Sequence, residues 1–217
     1  MLFRSFSNTT QAAFLNWNVA TVNGGTFSSE QNCILNGYGD DTMDKGELKI
    51  TGGTFTSKEA PIKRINGEGE GNKDFDNVDV TGGVYSGDVS EVVAEGSSEL
   101  VKASGGSRYQ VGQYTSSTQG VTAAAQLNGK SVYFEALNDA VTHAGVTGVT
   151  VTANATLTKE IPEDVNVTVL GGATLTAQGD LTGVTFSNGA KLVVPEGKTA
   201  TIDGKEYASG SYEAQKD

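Results

Sequence analysis

Val149-Thr-Val-Thr-Ala-Asn-Ala-Thr-Leu-Thr158, Val167-Thr-Val-Leu-Gly-Gly-Ala-Thr-Leu-Thr176 and Val184-Thr-Phe-Ser-Asn-Gly-Ala-Lys-Leu-Val193 are one ten-residue phrase written three times, 18 and then 17 residues apart. Each copy reads as a short alternating strand, a Gly/Asn corner and a second short strand. One such unit is too small to bury a core alone and is suited to stacking on its neighbours. Side chains alternate faces along a strand, so stacking predicts inward columns of Val149, Val167 and Val184, of Val151, Val169 and Phe186, and of Leu157, Leu175 and Leu192. Thr150, Thr168 and Thr185 form the matching outward ladder, a candidate ice-binding face of only three rungs.

A slower repeat precedes this one. Ala20-Thr-Val-Asn-Gly-Gly-Thr-Phe27, Leu48-Lys-Ile-Thr-Gly-Gly-Thr-Phe55 and Val78-Asp-Val-Thr-Gly-Gly-Val-Tyr85 recur at intervals of 28 and 30 residues. Their alternation predicts columns of Ala20, Leu48 and Val78, of Val22, Ile50 and Val80, and of Phe27, Phe55 and Tyr85. The Gly pairs mark a corner where positive φ or the close approach of a neighbouring turn excludes a Cβ. The longer period leaves room for middle strands at Asn32-Cys-Ile-Leu35 and Ala60-Pro-Ile-Lys-Arg-Ile65.

Around these repeats, 88–96 reads as a short closing helix capped by Asp88 and stopped by Gly96. Residues 97–111 read as an irregular strand pair, followed by a Ser/Thr/Gly/Ala connector. A strand is expected at 126–132 and an amphipathic helix at 133–143, stopped by Gly145 and lying over the open end of the second stack. The tail from 209 is polar and expected to be loose. The expected fold is all-β, a right-handed single-stranded parallel β-helix (solenoid) with short capping helices, the hand following from the general rule for parallel crossovers. Its parts are a long-rung module at 1–112 closed by a short helix, a connector at 113–130, and a helix-capped short-rung module at 131–217.

Composition narrows function mainly by exclusion. The 217 residues include 29 Gly and 3 Pro and carry a net charge of −11. Many short strands and tight turns fit that balance better than a helical bundle. The acidity disfavours nucleic acid and anionic membranes as partners. No run is long enough for membrane insertion, and Met1-Leu-Phe-Arg-Ser5 is too short for a signal peptide. An exported protein would carry its targeting segment elsewhere, and the abrupt start reads as that of a fragment. The lone Cys33, in the apolar run Cys33-Ile34-Leu35, is expected as a small core residue.

Several clusters could carry chemistry. Two acidic segments each begin 15 residues after the first Gly of a pair, so stacking would bring Asp40, Asp41 and Asp44 beside Glu68, Glu70, Asp74 and Asp76. Oxygen ligands of this kind suit Ca²⁺, although the spacing is not that of an EF-hand and solvated loops explain the same residues. Glu47, Asp76 and Asp79 could approach one another, but glycosidases require a facing carboxylate pair, and in so acidic a chain chance proximity accounts for these three. His143, the only His, sits at the end of the expected helix, where a plain helix-end cation is the simple reading. No residue is assigned a catalytic or cofactor-binding role, and the chain is read as a non-enzyme with no cofactor beyond that calcium.

Gly-Gly-Thr-Phe at 24–27 and 52–55, Gly82-Gly-Val-Tyr-Ser-Gly-Asp-Val-Ser-Glu-Val-Val-Ala-Glu-Gly96, and Val132-Tyr-Phe-Glu-Ala-Leu-Asn-Asp-Ala-Val141 leading into the Val-Thr-Val strands resemble repeat regions of large bacterial surface proteins with right-handed parallel β-helix folds. The resemblance covers most of 18–204. It implies a secreted, cell-surface location and a role in display, spacing or adhesion, with glycans or host surface proteins as partners. No set of functional residues accompanies these motifs. The alternative is a carbohydrate-binding or carbohydrate-processing β-helix of a larger surface enzyme or phage tail protein, with Trp17, Tyr38 and Tyr114 as candidate sugar platforms.

Overall fold

The structure is a computed structural model that describes residues 5–8, 12–37, 46–64, 78–105 and 108–215. It is almost entirely β and divides into two compact units, Met1–Gln113 and Tyr114–Asp217.

In unit 1, β1 (Ser5–Asn8) precedes three consecutive triplets of strands. These are β2 (Phe14–Asn16), β3 (Val19–Val22) and β4 (Thr26–Ser29), then β5 (Ile34–Asn36), β6 (Glu47–Ile50) and β7 (Thr54–Ser57), then β8 (Ile62–Arg64), β9 (Val78–Val80) and β10 (Gly83–Tyr85). Equivalent strands pair in parallel, giving the sheets β2-β5-β8, β3-β6-β9 and β1-β4-β7-β10. The register joins Ala20 to Leu48 to Val78, Val22 to Ile50 to Val80, and Phe27 to Phe55 to Tyr85. Each of these is a column expected from the alternation. The aromatic column stacks nearly flat, with centroids 4.9 and 4.8 Å apart and interplanar angles of 10° and 7°. All three rings are fully buried.

The Gly pair serves two purposes at one corner. A Cβ on Gly82 would lie 2.4 Å from the carbonyl oxygen of Thr51 in the preceding triplet, and one on Gly52 would lie 3.0 Å from that of Asn23. The second glycine, Gly83, has φ of 120°, which an L side chain adopts only under strain. A second corner is closed by buried asparagines. Asn16 Nδ2 donates to Asn36 Oδ1 at 2.6 Å and to the Glu47 carbonyl at 3.0 Å, while Asn36 Nδ2 donates to the Gly46 carbonyl at 3.0 Å. Main-chain groups that turn inward there are thereby satisfied.

The closing helix expected at 88–96 is a single 3₁₀ turn, Ser90–Val92. Asp88 Oδ1 accepts the Ser90 N–H at 2.7 Å, and the chain then returns to extended form, with Val93 bridging Val80. The buried Val92 and Val93 face the core on consecutive residues, so packing here overrides the helical pattern. Above it lie β11 (Ser98–Val101) and β12 (Tyr109–Gly112), antiparallel to each other, with β12 also antiparallel to β10.

Unit 2 opens with a hairpin of β13 (Ala123–Leu127) and β14 (Lys130–Phe134). This replaces the single strand expected at 126–132. Asn128 and Gly129 both have positive φ, 52° and 73°, and Asn-Gly between strands is the signature of a two-residue turn of that type. Helix α1 is only Leu137–Val141, because Val132 and Phe134 are buried on β14 rather than starting the helix expected at 133. The exposed edge of β15 (Gly148–Val151) is covered by β13 in antiparallel pairing, and α1 packs against β13, β14 and β15.

From β15 the ten-residue phrase stacks in parallel. Its strands are β16 (Ala155–Thr156), β17 (Asn166–Val169), β18 (Thr174–Thr176), β19 (Gly179–Asp180), β20 (Val184–Phe186), β21 (Lys191–Val194) and β22 (Ala200–Ile202). Val149, Val167 and Val184 are in register, as are Val151, Val169 and Phe186. All of these are buried except Phe186, which is half-buried. The leucine column is corrected. Leu175 pairs with Leu192, but the partner of Leu175 on the other side is Ala155. Leu157 is shifted by two positions, with its N–H donating to the Thr176 carbonyl at 2.8 Å. Between the paired positions Val151 and Val169 and the next paired positions Ala155 and Leu175 the chain advances four residues in the first copy (155 − 151) and six in the second (175 − 169), and a two-residue slip keeps the same face inward, so Leu157 remains buried. The tail is not loose. β23 (Lys205–Tyr207) and β24 (Gly210–Glu213) fold back antiparallel on β22 and β21.

Candidate functional site

Asp40, Asp41, Asp44, Glu68, Glu70, Asp74 and Asp76, together with Tyr38, lie outside the described residues. Among the described residues no group of three His, Cys, Asp or Glu side chains is placed to hold a metal ion. Of the carboxylate trio, Glu47 and Asp79 are both exposed on the outward face of the β3-β6-β9 sheet, where Asp79 pairs in register with Lys49 rather than with Glu47. They share a face without facing one another.

His143 follows a helix too short to present a dipole end. Its ring lies edge-on to Phe134 at 5.5 Å, and Nδ1 is 3.1 Å from the Ala144 carbonyl. It is part of the packing beside β14. Cys33 is fully buried, its thiol directed at the Phe27 carbonyl at 3.4 Å. Burial pushes that thiol up to about 11, which leaves it protonated and unreactive at neutral pH. Thr150, Thr168 and Thr185 form the expected outward ladder in register.

Three places stand out that the sequence did not single out. One is an open cleft of about 860 Å³ in unit 2, flanked by β19 and by the segment 158–164. That segment forms no strand, so among the described residues β19 pairs only with β22. Lys159 and Lys198 line the cleft with Glu160, Glu163, Asp180 and Gln178. Asp180 is engaged locally, since its Oδ1 accepts the Thr182 N–H at 2.9 Å and the Thr182 hydroxyl at 2.8 Å. The lining offers hydrogen-bonding groups of both signs. Near the end of unit 2, Tyr207 and Tyr212 meet edge to face at 5.0 Å, and Lys205 Nζ sits 5.0 Å above the Tyr207 ring. Neither feature follows from a repeat, because one depends on a missing strand and the other on the returning tail.

The third is Glu99, a carboxyl with no exposure inside unit 1. Its Oε1 accepts the Val89 N–H at 3.0 Å, while Oε2 has no hydrogen-bond partner among the described residues. Burial, and then the charge of Asp88, push the Glu99 carboxyl up to about 9. Burial, and then the charge of Glu99 once it ionises, raise the phenol of Tyr85, whose hydroxyl donates to the Gly82 carbonyl at 2.9 Å. A protonated carboxyl is the form such a site tolerates.

Trp17 is 51% exposed, next to Leu15 and Val19 at 42% and 69%. Tyr114 is half-buried. No described helix is long and apolar enough to cross a membrane. In comparisons with known proteins, no family model, no curated protein and no solved structure matches the chain.

Proposed function

We propose that each unit is a right-handed single-stranded parallel β-helix module and that the chain is a non-catalytic repeat segment of a bacterial surface protein, serving display, spacing or adhesion outside the cell. The observation that carries the coil is the in-register parallel pairing of strands from successive repeats on three sheets of unit 1. The hand is supported by the strong bias of parallel crossovers. The outward positions of the stacked strands are mainly Thr, Ser and charged residues, which suits a solvated surface that lengthens rung by rung.

Antibody labelling of the native producer tests the location. The reading expects signal on intact cells, and signal seen only after lysis would sink it. Incubation with a polysaccharide panel should give no turnover. The second reading, carbohydrate binding, is favoured by the polar cleft beside β19. On a glycan array it expects micromolar binding that Lys198→Ala weakens at least tenfold.

A further inference from the structure

Asn-Gly steps occur at 23, 36, 66, 128 and 188. In such a step the main-chain nitrogen of Gly lies next to the Asn amide carbon with no side chain in the way, so attack is intramolecular and unhindered. Asn66 lies outside the described residues. The fold treats the other four differently. Gly37 N–H donates to the Asn16 carbonyl at 2.8 Å and Gly189 N–H to the Ala214 carbonyl at 2.8 Å, so both nitrogens are held by acceptors. Asn36 is also fully buried, with Nδ2 donating to the Gly46 carbonyl. Asn128 is fixed at φ of 52° in the hairpin turn closed by Leu127 and Lys130, and closing a ring onto Gly129 has to rotate the peptide out of that turn. Asn23 is exposed, and Gly24 N–H donates to no acceptor among the described residues. Gly24 is outside the left-handed region, and a methyl built on it meets nothing within 4 Å. Stacking adds a donor here. Position 23 is in register with Thr51 of the next coil, whose hydroxyl donates to Asn23 Oδ1 at 2.8 Å. Negative charge develops on that oxygen when the amide carbon is attacked, and a donor already aimed at it lowers the barrier.

We propose that Asn23 is a self-modification site, at which the side chain cyclises onto Gly24 and water then opens the ring to aspartate or isoaspartate. Solvent base takes the proton from Gly24 N–H, and the nitrogen forms a bond to Asn23 Cγ. The Cγ–Nδ2 bond breaks, and Nδ2 gains a proton and leaves as ammonia. Water then adds to one of the two ring carbonyls and breaks its bond to the Gly24 nitrogen, which recovers a proton. Addition at Cγ gives aspartate. Addition at the main-chain carbonyl gives isoaspartate, in which the chain runs through Cβ and Cγ. Water is the only co-reactant. Either product adds a negative charge to the chain. Isoaspartate also lengthens the main chain by a carbon at the corner, beside the Val22 carbonyl that accepts Thr51 N–H at 2.9 Å, so pairing of the first two coils loosens there. The reaction is set by the corner alone and is independent of where the chain acts.

The test ages the full chain in mildly alkaline buffer and follows amide-to-acid conversion at Asn23, Asn36, Asn128 and Asn188 by peptide mass spectrometry, with isoaspartyl methyltransferase labelling to identify the rearranged product. Asn23 should convert at least fivefold faster than the other three, and denaturant should abolish that lead. Thr51→Val should slow Asn23 at least threefold and Thr51→Ser should restore the parent rate, a rescue that packing alone does not give. Gly24→Ala should keep the parent Tm and slow conversion at least tenfold. Earlier conversion at Asn36, Asn128 or Asn188 overturns the proposal. So does an unchanged rate in Thr51→Val, or a faster one, which would show that the hydroxyl restrains the amide instead of activating it. Slow hydrogen exchange at the Gly24 amide overturns it as well, because that nitrogen would then be bonded.

Discussion

Glu99 shows how one buried group sets a pH response. Its carboxyl holds a proton up to about 9 in the folded chain, against an ordinary value of 4.5. The folded state thus binds more protons than the unfolded state between those values, and stability falls as pH rises through that window. Below about 4.5 both states are protonated and the slope from this group vanishes. Glu99→Gln retains an oxygen for the Val89 N–H and removes the titration. Melts of the variant and parent between pH 5 and pH 9 should diverge, the variant losing the part of the alkaline decline that Glu99 causes; parallel curves would show that Glu99 ionises without cost. Gly82→Ala is the companion at the same scale. The carbonyl of Thr51 cannot give way without breaking the register of β6, so the methyl should lower stability by about 2 kcal/mol or more by denaturant titration.

Elements were legible where two periodicities agreed. Alternation by two placed Val22, Ile50 and Val80 inward, and the Gly-Gly corner fixed which residues of successive coils meet. The leucine column slipped because a gapless alignment carries no information on corner length, and two extra residues between Val169 and its next paired position Leu175 move the register without changing the face. Val132-Tyr-Phe134 suits a helix face and a strand equally, and pairing with Ala123 and Ala125 decides for the strand. The cleft beside β19 was invisible because it is made by the strand that 158–164 does not form. Leu175, fully buried between Ala155 and Leu192, is the test of this packing. Leu175→Asp forces a carboxylate among apolar neighbours and should cost more than about 4 kcal/mol, enough to unfold unit 2 as seen by loss of its cooperative melt. Thr168→Ser, on the outward ladder, should change stability by less than about 0.5 kcal/mol.

Over the whole molecule, 26 acidic residues against 15 basic ones leave a net charge of −11, and self-repulsion of that size opposes compactness in proportion to the Debye length. Raising NaCl from about 10 to about 150 mM shortens that length from roughly 30 to roughly 8 Å, so Tm should climb with salt. Calcium acts on the same charge in two separable ways. As a general counter-ion it should raise Tm no further than NaCl of equal ionic strength. As a ligand of the seven carboxylates at 40–44 and 68–76 it would add a saturable increment that grows as RT ln(1 + [L]/Kd) and that Mg²⁺, which keeps its waters and demands a smaller octahedral site, does not reproduce. The spacing of those acids is not that of an EF-hand loop, and among the described residues no group of three His, Cys, Asp or Glu side chains is placed to hold a metal ion. Matched curves for calcium, magnesium and sodium are therefore expected, and a calcium-specific step in Tm at micromolar concentration would instead place an ion between neighbouring coils.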